Sequence, residues 1–386
     1  MAENEVRPGR VFARVLYDGL TPVGLPNRII ELSGGRIVAV RPAETGEGDD
    51  PAMVSADVVA AGFIDLQING AGGAQFNFDP SVATLALMAN GARQGGTAHI
   101  LPTFISAPQA EYRKALATAR EAILSGVPGI LGVHLEGPFL SPQRPGIHHP
   151  HAIRPMTSAD ISAMTADFPG PLLVTVAPEY LPDGSLETLV KAGITVFAGH
   201  SMATSQAIAE AETLGLRGVT HLFNAMSQMT GREPGIVGAV LASDRLYAGI
   251  IADRHHVAPE NLWIAARLLP DRLCLVTDAM MTLASKLNQF TLNGQTIRLD
   301  GGRLTNAQGT LAGAHVAMDE SLRNMIACTG LPIAAALNMA SRNPAMALGM
   351  HHELGLVRVG YRASLTLLST DLRAKAVLVD GQHFRI

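Results

Sequence analysis

Residues 195–221 read TVFAGHSMATSQAIAEAETLGLRGVTH, which has the pattern of one strand–helix–strand unit. The apolar run Thr195–Ala198 predicts a short buried strand, and the Ala-rich segment Ser201–Leu214 has a helical period. A second short run, Gly218–His221, predicts the next strand. Because parallel neighbours need a crossover connection of this kind, the stretch predicts two parallel strands of an α/β fold.

The same alternation continues on both sides of this stretch. Ala-rich segments with a helical period, such as Glu111–Leu124 and Pro259–Leu269, follow several other apolar runs. Eight strands alternating with helices predict a closed parallel (β/α)8 TIM barrel rather than an open, doubly wound sheet. The eight predicted strands are Gly62–Ile68, Thr97–Phe104, Gly129–Leu135, Leu172–Ala177, Thr195–Ala198, Gly218–His221, Leu246–Ile251 and Leu273–Val276.

The two ends of the chain contain short β-type runs instead. Arg10–Tyr17 predicts a strand, the runs on either side of Gly34-Gly35 predict a hairpin, and Asp380-Gly381 predicts a turn. Because both ends of the chain have this β-type pattern and enclose a long middle part, we predict one small domain built from both termini. The predicted division of the chain is residues 1–57 plus 355–386 for a small β-sandwich domain, 58–354 for the barrel, and 283–313 for a β insertion within the barrel.

Composition excludes several classes of protein. With 47% hydrophobic and 16% charged residues, the 386-residue chain has enough apolar material for a large core and is not an intrinsically disordered protein. The formal net charge is −4 and no Lys/Arg-rich run occurs, so we expect no nucleic acid and no membrane as a partner. Cys274 and Cys328 cannot form a disulfide framework, and the polar segment Met1–Arg10 has no apolar signal core. We therefore expect a cytoplasmic protein.

Four polar residues follow predicted barrel strands at the end where barrel active sites lie. Glu136 lies at the end of the third strand, His200 at the end of the fifth, His221 at the end of the sixth and Asp278 at the end of the eighth. Taken singly, each is more often a structural residue, such as a hydrogen-bonded histidine or a helix cap. One carboxylate and two imidazoles are a known catalytic zinc set that leaves a position open for water. The four together therefore predict a metal-dependent hydrolase in which Asp278 transfers the proton of the water to a leaving nitrogen.

Nearly the whole chain, in order, resembles the N-acetylglucosamine-6-phosphate deacetylases of the amidohydrolase superfamily. In the first strand that superfamily often has His-x-His, whereas this chain has Gln67 and Asn69, so two ligands of a second metal are absent. Members of this group with a single metal show the same replacement. The segments that carry the resemblance are Gly62–Gly70, His134–Pro138, Ala177–Glu179, Gly199–Ser201, His221–Met226, Thr230–Gly235, Ile250–Asp253, Val276–Ala279 and Gly309–Gly313.

The resemblance implies a role for each matching residue. Glu136, His200 and His221 match ligands of one divalent metal ion per subunit, which is zinc or alternatively iron, cobalt or manganese. Asp278 matches the general base and acid. His148 matches a histidine that polarises the substrate carbonyl, and His149, which follows it directly, is the alternative for this role. The residues that match a sugar-phosphate site are Ile147, His148, Asn224, Ala225, Arg232, His256, Leu311, Ala312, Gly313 and Ala314.

The implied reaction is the hydrolysis of N-acetyl-D-glucosamine 6-phosphate to D-glucosamine 6-phosphate and acetate by a homodimer. In relatives, residues matching Arg232 and His256 bind the phosphate and can reach the site from the partner subunit. Three alternatives stay open: the galactosamine epimer as substrate, a cyclic amide as substrate, and a non-catalytic sugar-phosphate-binding protein. Arg254, His255 and His315 depart from the pattern of the relatives near the pocket.

Overall fold

The structure is a computed structural model that describes residues 7–51 and 53–386. Residues 1–6 and Ala52, which belong to the predicted terminal domain, lie outside the described residues.

Eight parallel strands form the central sheet, and each is paired with its neighbour in chain order. The amide of Asp278 donates to the carbonyl of Gln67 at 2.8 Å, and the amide of Asn69 donates to the carbonyl of Ala279 at 2.9 Å. These bonds join the eighth strand to the first, so the predicted TIM barrel is confirmed. The barrel strands are Phe63–Ile68, Thr97–Ile105, Val133–Glu136, Leu172–Val176, Thr195–Ala198, Gly218–Val219, Tyr247–Ile251 and Leu273–Val276.

Two of the predicted barrel segments begin four residues later than expected. The third strand begins at Val133 rather than Gly129, because Gly129 lies in a turn with a φ of +90° that strand residues do not adopt. The helix after the fifth strand begins at Ser205 rather than Ser201, because the side chain of Thr204 caps it by accepting from the amide of Ala207. Ser201 to Thr204 instead belong to the loop at the barrel mouth.

The interior of the barrel is filled by apolar side chains. One buried cluster contains residues from six different strands, among them Ile64, Leu101, Phe197, Tyr247 and Val276. Along their strands these residues alternate with the ones that pack with the outer helices, such as Ile250 and Leu275, so they face the interior of the barrel. The barrel is therefore a packed core, and its polar chemistry is confined to the mouth.

Helices surround the barrel on the outside, as the alternating pattern predicted. No helix in the described part of the chain combines the length and the apolar character that crossing a membrane requires. The α-helices of residues 7–51 and 53–386 are Val82–Arg93, Gln109–Leu124, Ser158–Met164, Ser185–Lys191, Ser205–Thr213, Gly235–Ala242, Pro259–Leu268, Met318–Thr329, Ile333–Ala340 and Arg342–Ala347.

Both termini contribute to a separate sheet, whose seven strands among the described residues are hydrogen-bonded in one continuous order. We predicted a small β-sandwich domain built from both termini, and a separate sheet built from both termini is confirmed. Val54–Ala61 lies in the middle of the sheet, parallel to Arg10–Tyr17 and antiparallel to Leu365–Leu368, so the sheet extends past the predicted boundary at residue 57. The other four strands are Leu25–Ser33, Arg36–Pro42, Ala374–Val379 and Gln382–Arg385.

The insertion after the eighth barrel strand is a three-stranded antiparallel sheet of Gln289–Leu292, Gln295–Asp300 and Arg303–Thr305. Its apolar face packs on the barrel mouth, since Phe290, Leu292, Ile297 and Leu304 share a buried cluster with Ile105 and Met280. A smaller hairpin, Gly70–Ala71 with Ala74–Gln75, follows the first barrel strand. The insertion is thus fixed over the edge of the mouth.

Asp160 anchors the long loop that follows the third barrel strand. Its carboxylate accepts from Arg154 at 2.6 and 2.8 Å, from the Thr157 hydroxyl at 2.7 Å, from Gln109 at 2.7 Å, and from the Tyr112 hydroxyl. Burial raises the pKa of Asp160, but the hydrogen bonds from Arg154 and its other donors outweigh burial and hold that pKa well below its usual value.

We expect Asp160→Asn to lower the free energy of unfolding by about 2–3 kcal/mol at neutral pH, because several bonds to a charged acceptor are lost. A carboxyl with a depressed folded pKa stabilises the protein above its unfolded pKa of about 3.9, and this contribution is lost as the pH falls below that value. Urea unfolding at several pH values measures both effects. The matched control is Asp167→Asn, whose side chain is 97% exposed. An equal effect of the two variants would contradict the role of Asp160.

Candidate active site

The four polar residues that follow barrel strands meet at the mouth of the barrel. Glu136 is the last residue of the third strand, and the other three each lie two residues beyond the end of theirs. His200, His221 and Asp278 have φ values of +48°, +32° and +47°, so the chain turns in the left-handed region at each of them. Non-glycine residues in that region are uncommon and concentrate at functional sites.

The side chains of Glu136, His200 and His221 are buried and converge on one point. Glu136 Oε1 lies 3.0 Å from His221 Nε2 and 3.2 Å from His200 Nε2, and the two Nε2 atoms are 3.1 Å apart. Two ligand atoms placed tetrahedrally at about 2.0–2.1 Å from zinc are roughly 3.3 Å apart. His200 Nδ1 donates to the carbonyl oxygen of Arg144 at 2.8 Å, which leaves the Nε2 lone pair free. These donor atoms fit one divalent ion.

His148 lies beside this group with a different orientation. Its Nδ1 lies 3.3 Å from the amide of Ser106 and 2.8 Å from the hydroxyl of the same residue. The amide can only donate, which favours the tautomer with the ring proton on Nε2, and this Nε2 lies 4.0 Å from Glu136 Oε2. Burial, and then repulsion by His200, lower the pKa of His148 to about 3. The site therefore contains a neutral imidazole with an N–H donor. His149, by contrast, lines a neighbouring pocket together with His151.

Donor atoms of Glu136, His148 and His200 also lie within 4.8 Å of one another, so these three residues form a second possible ligand set. The two sets share Glu136 and His200 and differ in the third histidine. The distances of His221 from the shared residues, 3.0 and 3.1 Å, are shorter than the 4.0 Å from His148 to Glu136.

Asp278 faces the same point from the eighth strand. Its Oδ1 accepts from Asn69 Nδ2 at 2.6 Å and from Gln67 Nε2 at 3.2 Å, and Gln67 Nε2 also donates to Glu136 Oε1 at 3.1 Å. The two amides that replace histidines in the first strand thus hold the carboxylates by hydrogen bonds. Burial, and then the charge of Glu136, raise the pKa of Asp278 to about 6.

A cavity of about 530 Å³ opens above these residues. Of the residues predicted to bind a sugar phosphate, seven line it: Ile147, His148, Asn224, Ala225, His256, Leu311 and Gly313. Ala312 and Ala314 are buried next to the lining. Arg232 is exposed on its loop and does not line the cavity of its own chain. The structure thus brings together most of the predicted site but leaves Arg232 outside it.

His256 is held in place by a neighbouring carboxylate. Its Nδ1 donates to Asp253 Oδ2 at 2.6 Å, and Asp253 also accepts from the amides of His255 and His256 at 2.9 Å. Burial raises the pKa of Asp253, but the hydrogen bond from His256 outweighs it, and the pKa is lowered. Asp253 is therefore a carboxylate that orients the imidazole of His256.

The cavity also contains residues that the sequence did not predict. Gln143 and Arg144 precede His148 in a loop that is rich in Pro and Gly. This loop composition is the feature of the sequence that could have indicated them as site residues. Thr310 lies next to the predicted Leu311, and Arg303 comes from the insertion. Arg254, His255 and His315, which we expected to depart from the pattern of the relatives, line a separate cavity of about 230 Å³ instead.

Comparison with known proteins agrees with the fold. Residues 58–383 match the family model described as the amidohydrolase family. The chain is 38% identical to the N-acetylglucosamine-6-phosphate deacetylase of Haemophilus influenzae over 91% of this chain and 93% of that protein. It is 37% identical to the N-acetylgalactosamine-6-phosphate deacetylase of Shewanella sp. over 92% of this chain and 90% of that protein.

A solved structure gives the same result. The N-acetylglucosamine-6-phosphate deacetylase of Pasteurella multocida superposes with a TM-score of 0.90 at 33% identity, covering 98% of this chain and 100% of that chain. The match over almost the full length of both proteins shows the family as well as the fold. The chain therefore belongs to the amidohydrolase family, in the group of its amino-sugar-6-phosphate deacetylases.

Proposed function

We propose that the protein hydrolyses N-acetyl-D-glucosamine 6-phosphate to D-glucosamine 6-phosphate and acetate. The observation that carries this proposal is the convergence of a three-residue donor set, the carboxylate of Asp278 and the N–H donor of His148 on one cavity. The functions of the relatives supply the substrate class. Intact catalytic groups in this arrangement argue against a non-catalytic binding protein.

Glu136, His200 and His221 would hold one divalent metal ion, which we propose to be zinc, with iron, cobalt or manganese as alternatives. When bound, such an ion polarises the amide carbonyl and lowers the pKa of water. We prefer His221 to His148 as the third ligand because of its shorter distances. In addition, the bond from the Ser106 amide to His148 Nδ1 favours the tautomer with a proton on the Nε2 atom that would have to bind the ion.

The residues of the chain move the protons. Asp278 accepts a proton from the attacking water as the new C–O bond forms at the acetyl carbonyl carbon. His148 Nε2–H donates to the carbonyl oxygen while negative charge develops there. Asp278 then gives its proton to the sugar nitrogen as the C–N bond breaks, so acetate and the free amine leave. The raised pKa of Asp278 suits a group that both accepts and returns a proton.

Acetate release, measured together with metal content, tests the proposed function. We expect turnover with N-acetylglucosamine 6-phosphate and about one divalent ion per chain. The panel includes N-acetylgalactosamine 6-phosphate, because a relative that is 37% identical carries that name. It also includes plain N-acetylglucosamine and a cyclic amide. Hydrolysis of the cyclic amide alone would refute the proposal. A preference for N-acetylgalactosamine 6-phosphate would identify that sugar phosphate as the substrate instead.

We further propose that Arg232 of the partner subunit completes the phosphate site in a homodimer, since Arg232 is exposed and outside the cavity of its own chain. Arg232→Ala is then expected to lower kcat/KM for the phosphorylated sugar roughly 10- to 100-fold, with little effect on plain N-acetylglucosamine.

Subunit mixing distinguishes action across the dimer from action within one chain. Asp278→Asn chains keep Arg232, so in mixed dimers they can supply it to Arg232→Ala chains that keep Asp278. A random mixture of the two impaired variants should then recover about a quarter of the wild-type activity, since half of the dimers contain one complete site. No recovery on mixing would show that Arg232 does not act across a dimer.

A further inference from the structure

Arg303 lies in the cavity and has no role in the function proposed above. Arg303, in the last strand of the insertion, is exposed and lines the catalytic cavity. Within residues 7–51 and 53–386, no carboxylate or other acceptor binds its guanidinium. The other cavity arginine, Arg144, differs, since its Nε contacts the sulfur of Met202 at 2.9 Å and its carbonyl holds His200. Arg303 therefore presents an unpaired cation to the cavity.

The turn that precedes Arg303 lies against the segment that carries His256, and both residues line the cavity. Gly301 and Gly302 turn the chain with φ values of +54° and +83°, and a Cβ on Gly302 would lie 3.4 Å from His255 Nε2. The turn thus rests against the residue that precedes His256, and Arg303 directly follows the turn. Leu304 is buried beneath the insertion, so the strand that carries Arg303 is anchored.

The charges of the cavity separate into two groups. Glu136 and Asp278 are its carboxylates, and both belong to the metal and proton-transfer site. A phosphate dianion binds best away from them, next to cations, and the planar fork of an arginine matches two phosphate oxygens. Arg303 provides such a cation, and it lies apart from both carboxylates in sequence, on the insertion. Because the strand fixes the backbone of Arg303, less backbone freedom is lost on binding than for a residue on a mobile loop.

We propose that Arg303 binds the 6-phosphate of the substrate from the same chain, next to His256. The inference rests on the proposed function and adds a phosphate contact that does not depend on Arg232 of the partner subunit. Each chain then selects phosphorylated sugars to some degree by itself.

Arg303→Gln tests this inference against a matched control, Arg298→Gln, an exposed arginine of the same insertion that does not line the cavity. We expect Arg303→Gln to lower kcat/KM for N-acetylglucosamine 6-phosphate roughly 10- to 100-fold, mainly through KM, and to leave plain N-acetylglucosamine unaffected. Arg303→Lys should recover part of the loss, since it keeps the charge without the fork. Arg298→Gln should match the wild type.

Equal losses on both sugars would show that Arg303 only supports the insertion, and kinetics identical to those of Arg298→Gln would show that it has no role; either result overturns the inference. Inorganic phosphate is a probe that requires no turnover. Its affinity, measured by calorimetry, should fall in Arg303→Gln by a similar factor and stay unchanged in Arg298→Gln. If the wild type released no acetate from any sugar phosphate, the proposed function would fail, while the phosphate titration would still decide whether Arg303 binds an anion.

Discussion

Asp278→Asn is expected to keep the fold and the bound metal but to lower kcat by about 10²- to 10⁴-fold, the contribution typical of a positioned general acid and base. Asparagine has nearly the same shape and can still accept the hydrogen bond from Asn69, so the surroundings need not change. It cannot accept a proton from water or return one to the leaving nitrogen. The loss should therefore appear in kcat, with a small change in KM.

Asp271→Asn is the matched control for this prediction. Asp271 precedes the same barrel strand that Asp278 follows, but it is exposed at the opposite end of the barrel. Steady-state kinetics, metal content and thermal unfolding should be measured on both variants. Near-normal turnover of Asp278→Asn would show that Asp278 is not the general base and acid of the reaction. Loss of metal in that variant would show that Asp278 also acts as a ligand.

The barrel was predictable because buried parallel strands are continuous apolar runs. Thr195–Ala198 and Leu273–Val276 have the same bounds in the sequence prediction and in the structure. Polar side chains that directly follow such runs are forced to one end of the barrel, whatever the details of the loops. This is why Glu136 and His221, which are 85 residues apart in sequence, could be placed together beforehand, and in the structure they lie 3.0 Å apart.

The parts that were not predictable depend on contacts between distant segments. Val54–Ala61 pairs with strands from both termini, and no local pattern specifies a partner about 300 residues away. The helical period around Ser201 extends into the active-site loop, so only the capping bond of Thr204 marks the true start of the helix. Arg303 lies in a strand with no motif around it, and its place in the cavity results from the packing of the insertion on the barrel mouth.

The choice between two ligand sets leads to the other large expected effect. We expect His221→Ala to weaken metal binding more than 100-fold, since even residues that only orient ligands contribute about 10- to 100-fold to affinity. We expect His148→Ala to keep its metal and to lower kcat by about 10²- to 10³-fold, as for the loss of one donor to a developing oxyanion. Both variants lose activity, so metal content is the measurement that distinguishes them.

His149→Ala is the control, because His149 follows His148 directly but lines the neighbouring pocket, and we expect it to keep both metal and activity. Added metal should restore part of the activity of His221→Ala, because Glu136 and His200 remain as ligands, and should not restore His148→Ala. The opposite pattern, with metal lost in His148→Ala and retained in His221→Ala, would assign the ion to Glu136, His148 and His200. His221 would then be the candidate for the carbonyl donor, and the proposed hydrogen bond of His148 to the substrate would be wrong.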